Sequence, residues 1–202
     1  MNNIARLRDF ITSFTNVIER HRNDEERIFA DGRQLLSELV SHDDWLPDEF
    51  ARPDPERYQQ YLLYCDPMER FSVVSFVWGP GQTTPVHDHT VWGMVGILRG
   101  AETCEEFEME PATGRLRATG MHQLPCGGID LVSPRIGDIH KVSNALADRA
   151  SVSIHVYGAN IGAVRRHVYE PDTGRTSTFI SGYSRNVTPN IWDRSAEPAT
   201  PN

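Results

Sequence analysis

Gly81-Gln82-Thr83-Thr84-Pro85-Val86-His87-Asp88-His89 decides how this chain is read. On an extended strand residues i and i+2 share a face, so His87 and His89 aim their imidazoles at one point. Neutral imidazole is the commonest nitrogen ligand for transition metals, and two from one strand make half of a facial site. Asp88, between them, points away by the same alternation and is expected to be structural or to brace a ligand. A lone His-X-His pair is weak evidence. It gains weight from Gly93 and Gly100 downstream, and from Gly128, Pro134, Gly137, His140 and Asn144 in the second half of the chain.

A second pattern lies in Ser151-Val152-Ser153-Ile154-His155-Val156-Tyr157. Ser153, His155 and Tyr157 alternate with Val152, Ile154 and Val156, the period of a strand with one polar and one aliphatic face. The polar face either meets water or lines the inside of a barrel. In the second case the three side chains must satisfy one another, as a relay from Ser153 through His155 to Tyr157.

The first block resembles the first cupin motif, with Gly81, His87, His89 and Gly100 in place and Gly93 where that motif has a glutamate. The second block resembles the second cupin motif through Gly128, Pro134, Gly137, His140 and Asn144, with one extra residue between Pro134 and Gly137. The resemblance implies a mainly β fold: a single cupin (jelly-roll) β-barrel with an N-terminal helical cap. Without the glutamate, His87, His89 and His140 form a neutral three-nitrogen face that leaves the metal its full charge and about three open octahedral positions. Such a face suits an anionic, chelating substrate together with dioxygen. Imidazoles alone do not choose between iron, zinc, copper and nickel.

Together, the relay, the three histidines and the missing glutamate resemble the thiol dioxygenases of the cysteine dioxygenase type I family. The likeness is closest to the bacterial Gln-type group that acts on 3-mercaptopropionate, and it covers roughly residues 55 to 170. It implies one Fe(II) per chain on His87, His89 and His140, with Ser153, His155 and Tyr157 as catalytic relay. The substrates implied are a small thiol and O2, converted to a sulfinic acid. Mammalian members carry a cysteine cross-linked to the relay tyrosine. Gly93 stands there, so Tyr157 is expected to be an unmodified phenol. They also carry a carboxylate-binding arginine where this chain has Gln60, and glutamine cannot make the bidentate ion pair. The likeness moves that task to Arg166, although spacing alone does not separate it from Arg165. The alternatives are cysteine as substrate, a non-catalytic cupin binding a small carboxylate, and a zinc-dependent isomerase.

Composition fits one domain, 1–202, divided into a helical cap (1–50), a barrel (55–183) and a tail (184–202). The formal charge of −8 argues against nucleic acid or anionic membrane as a partner. The start of the chain has no signal-like apolar core and no run is long enough to span a bilayer, so a cytoplasmic location is expected. Composition does not decide the oligomeric state. Cys65, Cys104 and Cys126 lack zinc-type pairing and are expected as buried free thiols, with Cys65 nearest the substrate-binding stretch.

Apolar residues from Ile4 to Ile18 recur at helical spacing, and a second helix is expected over Ile28 to Val40, with Glu19 to Arg27 as solvated face and connection. Strands are expected at Phe71 to Trp78, Trp92 to Leu98, Thr103 to Met109, Ile129 to Val132, His140 to Val142 and Ala150 to Tyr157. Turns are expected at Pro111–Gly114 and Pro171–Gly174. His122 and His167 read as surface or core histidines rather than ligands, and His21 and His42 as solvated. Trp78 and Trp92 either wall the pocket or fill the core. Trp192 is the expected anchor of the tail, with Ala196 to Asn202 loose.

Overall fold

A computed structural model describes residues 3–194; the loose stretch expected at Ala196–Asn202 lies outside them. Two helices lead, α1 (Ile4–His21) and α2 (Glu25–Val40). Leu7, Phe10, Ile11, Phe14, Val17 and Ile18 form the buried stripe of α1, each contributing roughly 1.5–3 kcal/mol by leaving water. Asp24 caps α2 by accepting from Arg27 N at 3.2 Å, so much of the expected connection is already helix. His21 is not solvated: its Nε2 meets Asp31 Oδ2 at 2.7 Å between the helices, while His42 is exposed. The helices close to contact at Gly32, where an added Cβ would sit 2.8 Å from the Phe14 ring and 2.9 Å from Met94 Cε.

Eleven strands follow: β1 (Gln59–Cys65), β2 (Ser72–Trp78), β3 (Val86–His87), β4 (Gly93–Arg99), β5 (Ala101–Met109), β6 (Leu116–Pro125), β7 (Ile129–Val132), β8 (Ile139–Asn144), β9 (Ser151–Tyr157), β10 (Arg166–Tyr169) and β11 (Thr176–Phe179). They form two sheets, β1-β2-β9-β4-β7 and β11-β10-β3-β8-β5-β6, with every pairing antiparallel. This is a mainly β jelly-roll with a helical cap. All six expected strands are present, and both expected turns join hairpins, β5–β6 and β10–β11. β3 is only two residues long and holds His87 but not His89 of the expected His-X-His strand, and β1, β6, β10 and β11 are additional.

The cap explains β9. Val152, Ile154 and Val156 belong to the apolar layer under the helices, with Phe14, Leu36 and Phe71, and all seven residues of β9 are buried. Its polar residues therefore face the barrel interior rather than water. Trp78 lies inside the barrel with Phe76 and Tyr157, whereas Trp92 packs beneath the helices at 6.2 Å from both Phe14 and Phe29. The segment after β11 packs back against β1. Ser184 N donates to Gln60 O at 2.8 Å, and Gln60 N returns a bond to Ser184 Oγ at 2.8 Å. Farther on, Ile191 rather than Trp192 is the anchor: Ile191 is buried and its carbonyl accepts from Arg8 Nη1 at 2.9 Å, while Trp192 is 67% exposed. Among the described residues no helix is long and apolar enough to cross a membrane.

Candidate metal centre and thiol pocket

His87 is paired directly opposite His140 across β3 and β8. His89 lies beyond the end of β3, so strand alternation is not what places it. The chain turns at Thr90, whose φ is +59°, and Asp138 fixes the turn. The Asp138 carboxylate accepts from His89 N at 3.0 Å, Thr90 N at 2.8 Å and His89 Nδ1 at 2.9 Å. The His89 imidazole holds the Asp138 carboxyl below its ordinary value even though burial works the other way. Sequence reasoning missed Asp138; its signal was a carboxylate two residues before the second-motif histidine.

The three ring centroids lie 4.8–4.9 Å apart and the donor atoms all fall within 4.8 Å of one another. Each Nδ1 is engaged away from the centre: His87 with Pro85 O at 3.1 Å, His89 with Asp138, and His140 with Cys104 Sγ at 3.4 Å. That leaves the three Nε2 atoms for a metal, with orientation set from behind. Burial first, then the neighbouring His89, pulls His87 down to about 3 and His140 well below the usual histidine range, so both are neutral imidazoles. Burial pushes the Cys104 thiol up to about 12, which keeps it a neutral neighbour of His140. Buried, neutral, pre-oriented imidazoles fit a divalent transition metal.

Ser153, His155 and Tyr157 form the relay. Ser153 Oγ is 2.8 Å from His155 Nε2, and His155 Nδ1 is 2.8 Å from Tyr157 Oη. Burial keeps His155 neutral and raises Tyr157 above its ordinary value. The Tyr157 ring stacks on His89 at 5.4 Å, which sets the relay against the three-histidine cluster. Gly93 pairs with Tyr157 across β4 and β9. An added Cβ there would lie 2.9 Å from Tyr157 Cδ1 and 3.0 Å from Cε1, so this is the position from which a side chain touches the phenol.

The relay has a neighbour that the sequence did not flag. Glu102 is 3% exposed, beside Ser153, Ser151 and the Trp78 indole, with one carboxyl oxygen lacking a hydrogen-bond partner. Burial pushes its carboxyl up to about 8, so it is protonated at neutral pH.

Arg165 and Arg166 separate cleanly. Arg165 is exposed; Arg166 is 3% exposed, on β10 opposite Phe179, with its guanidinium 4.7 Å over the Phe179 ring. Nη2 donates to Ser181 Oγ at 2.6 Å, and Nε has no partner. No carboxylate forms an ion pair with it among the described residues. Burial works against its charge, while the phenols of Tyr157 and Tyr58 lie close enough to support it. Gln60 reaches the same hydroxyl: its Nε2 donates to Ser181 Oγ at 3.2 Å and to Gly182 O at 3.1 Å. Gln60 and Arg166 thus meet at Ser181, beside a cavity of about 290 Å³ lined by Tyr58, Gln60, Phe179, Ser181 and Tyr183. Ser181 and Tyr58, which stacks on Trp78 at 4.7 Å, were missed.

Asp88 points away from the cluster as expected. It accepts from His167 N and Tyr169 Oη, each at 2.8 Å, and its Oδ2 is 2.8 Å from His167 Nδ1, which ties the ligand loop to β10. His167 is therefore a structural partner and no ligand. His122 Nε2 lies 3.0 Å from Asp130 Oδ2, within hydrogen-bonding distance. Of the cysteines only Cys104 is buried; Cys65 is half-buried and Cys126 exposed. Cys65 ends β1, its Sγ bonding Asp66 O at 3.6 Å.

A family model described as cysteine dioxygenase type I matches residues 30–170, a span holding every residue of the cluster, relay and pocket named in the sequence. Cysteine dioxygenase type 1 of Danio rerio is 23% identical over 176 residues, covering 85% of this chain and 83% of that protein. Among solved structures, a conserved protein with a double-stranded β-helix domain from Klebsiella pneumoniae is similar at TM-score 0.42 and 17% identity, over 65% of this chain and 91% of that one. A cupin-like protein from Thermotoga maritima is similar at TM-score 0.42 and 18% identity, over 61% and 77%.

Proposed function

This chain belongs to the cysteine dioxygenase type I family, and from that premise we propose that it is an Fe(II)-dependent thiol dioxygenase. Its substrate is a small thiol carboxylate, 3-mercaptopropionate in preference to cysteine, and its product the sulfinic acid. The observation that supports a carboxylate-bearing thiol is Arg166, a buried guanidinium with no carboxylate partner and an unpaired Nε; the preference for 3-mercaptopropionate over cysteine rests on the likeness to the Gln-type group at Gln60. A buried cation of this kind is stabilised by an anion placed against it.

His87, His89 and His140 would hold Fe(II), which when bound would supply the redox chemistry between the thiol and dioxygen. The reaction R–SH + O2 → R–SO2H balances without an external reductant, because sulfur loses the four electrons that the two oxygen atoms gain. The protein's part is placement. Neutral ligands leave the metal charge undiminished, which favours the thiolate over the thiol. Arg166 fixes the distal carboxylate and Gln60 holds Ser181 in place, so the sulfur end is presented in one orientation. With His155 Nδ1–H donating to Tyr157 Oη and the Ser153 hydroxyl donating to Nε2, the phenolic proton of Tyr157 is left to hydrogen-bond groups in the pocket. Tyr157 acts here as an unmodified phenol. A cytoplasmic setting belongs to the same proposal.

Oxygen uptake by iron-loaded protein, measured over 3-mercaptopropionate, cysteine and cysteamine, is the test. Fastest uptake with 3-mercaptopropionate and weak uptake with cysteamine, which has no carboxylate, are expected. Cysteine as best substrate by a wide margin makes the protein an ordinary cysteine dioxygenase. No uptake with any thiol makes it a binding protein.

A further inference from the structure

Beyond the three histidines, a second set of metal-binding side chains converges inside the same barrel. Cys104 on β5, His122 opposite it on β6 and Asp130 on β7 bring a sulfur, a nitrogen and an oxygen within 4.8 Å of one another. They come from three strands and from both sheets, so their meeting is a product of the fold and not of one local motif. Cys104 is buried while His122 and Asp130 are half-buried; Cys104 and Asp130, though not His122, line a cavity of about 230 Å³ together with Glu106 and His140. Glu106 adds a second carboxylate, its Oε1 3.6 Å from His122 Nδ1. Among the described residues no Lys or Arg forms an ion pair with Asp130 or Glu106; the nearby Lys141 is bound to Glu105 at 2.8 Å. The cluster thus gathers a thiol, an imidazole and two carboxylates with no Lys or Arg paired to them among the described residues.

We propose that Cys104, His122 and Asp130 form a second metal site, for a borderline-soft divalent ion such as Zn2+ or Co2+, with Glu106 or water in the fourth position. A bound ion would displace the proton of the Cys104 thiol, and one thiolate, one imidazole and one carboxylate are donor types that such ions take in tetrahedral sites, three protein ligands with an open fourth position being a usual arrangement. A hard ion such as Mg2+ is disfavoured by the sulfur. The site adjoins the first centre through Cys104, whose Sγ is 3.4 Å from His140 Nδ1. It does not depend on the thiol dioxygenase proposal.

Cobalt distinguishes the two centres, because a thiolate ligand gives an intense near-ultraviolet charge-transfer band that a three-imidazole site does not. Co2+ added to iron-loaded protein, with no thiol substrate present, should bind to about one further equivalent per chain and produce that band. Cys104→Ser should abolish the band, and Cys126→Ser should leave it. His122→Ala and Asp130→Asn, which alter half-exposed side chains, should each weaken Co2+ binding by at least about tenfold while the iron content stays near wild type. These two variants carry the test if Cys104→Ser does not fold. Absence of a further equivalent overturns the site, as does a band that survives Cys104→Ser or Co2+ affinity unchanged in both His122→Ala and Asp130→Asn.

Discussion

The two side-chain clusters that meet where Cys104 touches His140 are built to opposite rules. In one, three imidazoles are buried with no carboxylate among the donors, and each Nδ1 is engaged from behind by Pro85 O, Asp138 or Cys104. In the other, His122 is half-exposed and faces Asp130 and Glu106 directly. The difference lies in where the carboxylate sits. Asp138 stands behind His89 and orients it; Asp130 stands in front of His122 and competes for the donor atom. A neutral set leaves a metal's charge available to an anionic substrate. An anionic set spends that charge on the protein, and holds an ion rather than putting it to work.

The largest effect that tests this contrast comes from deleting ligands. His87→Ala, His89→Ala and His140→Ala should each lose most of the bound iron and activity, since a three-ligand site has no redundancy, while His122→Ala keeps its iron. Metal analysis of the purified variants decides it, and a fully loaded His140→Ala would remove β8 from the centre. Asp138→Asn should keep the ligands but loosen one of them, lowering iron affinity by about 10–100-fold, read by competition with a chelator. If affinity is unchanged, the brace behind His89 is not what separates the clusters.

Arg166→Ala should raise the KM for 3-mercaptopropionate by at least about tenfold, equivalent to roughly 1.4 kcal/mol. Arg165→Ala, whose side chain is exposed, should leave it within about twofold. The reverse order would transfer the carboxylate to the neighbour. The smallest effect concerns Glu102. Its folded-state value is raised to about 8, so the folded chain keeps a proton that the unfolded chain releases above its ordinary carboxylate value. This contribution to stability is whole below about 4.5, declines as pH rises and is lost through about 8. Glu102→Gln, which mimics the protonated form, should flatten that decline in urea unfolding between those limits. An unchanged slope would mean that Glu102 is ionised in the folded protein.

Much of the metal cluster was legible because its signals are local. Histidines two apart, a third in a spaced block and a strand alternating polar with aliphatic need no knowledge of distant partners. What escaped was what distant pairing decides. Arg166 and Arg165 are equivalent until β10 pairs with β11 and sets Arg166 opposite Phe179 on the buried side. His89 looked like a strand residue, yet Asp138, 49 positions away, holds it. β6 hid because it edges its sheet, with most residues exposed or half-buried and no aliphatic face to announce it. Glu102 hid for the opposite reason, as a carboxylate in a run of acidic residues of which it alone is fully buried.

The segment after β11 gives the order of synthesis a meaning. Every metal-binding and relay residue has left the ribosome before Ser181, the hydroxyl on which Gln60 and Arg166 meet, and Ile191, which ties this segment back to Arg8 on the first helix. A nascent chain, or one clipped by a protease after Phe179, would carry the three imidazoles without the clasp that holds the carboxylate anchor. If Arg166 binds the substrate carboxylate as proposed, selectivity among thiols is acquired last, once the segment after β11 has folded back onto β1 and the first helix.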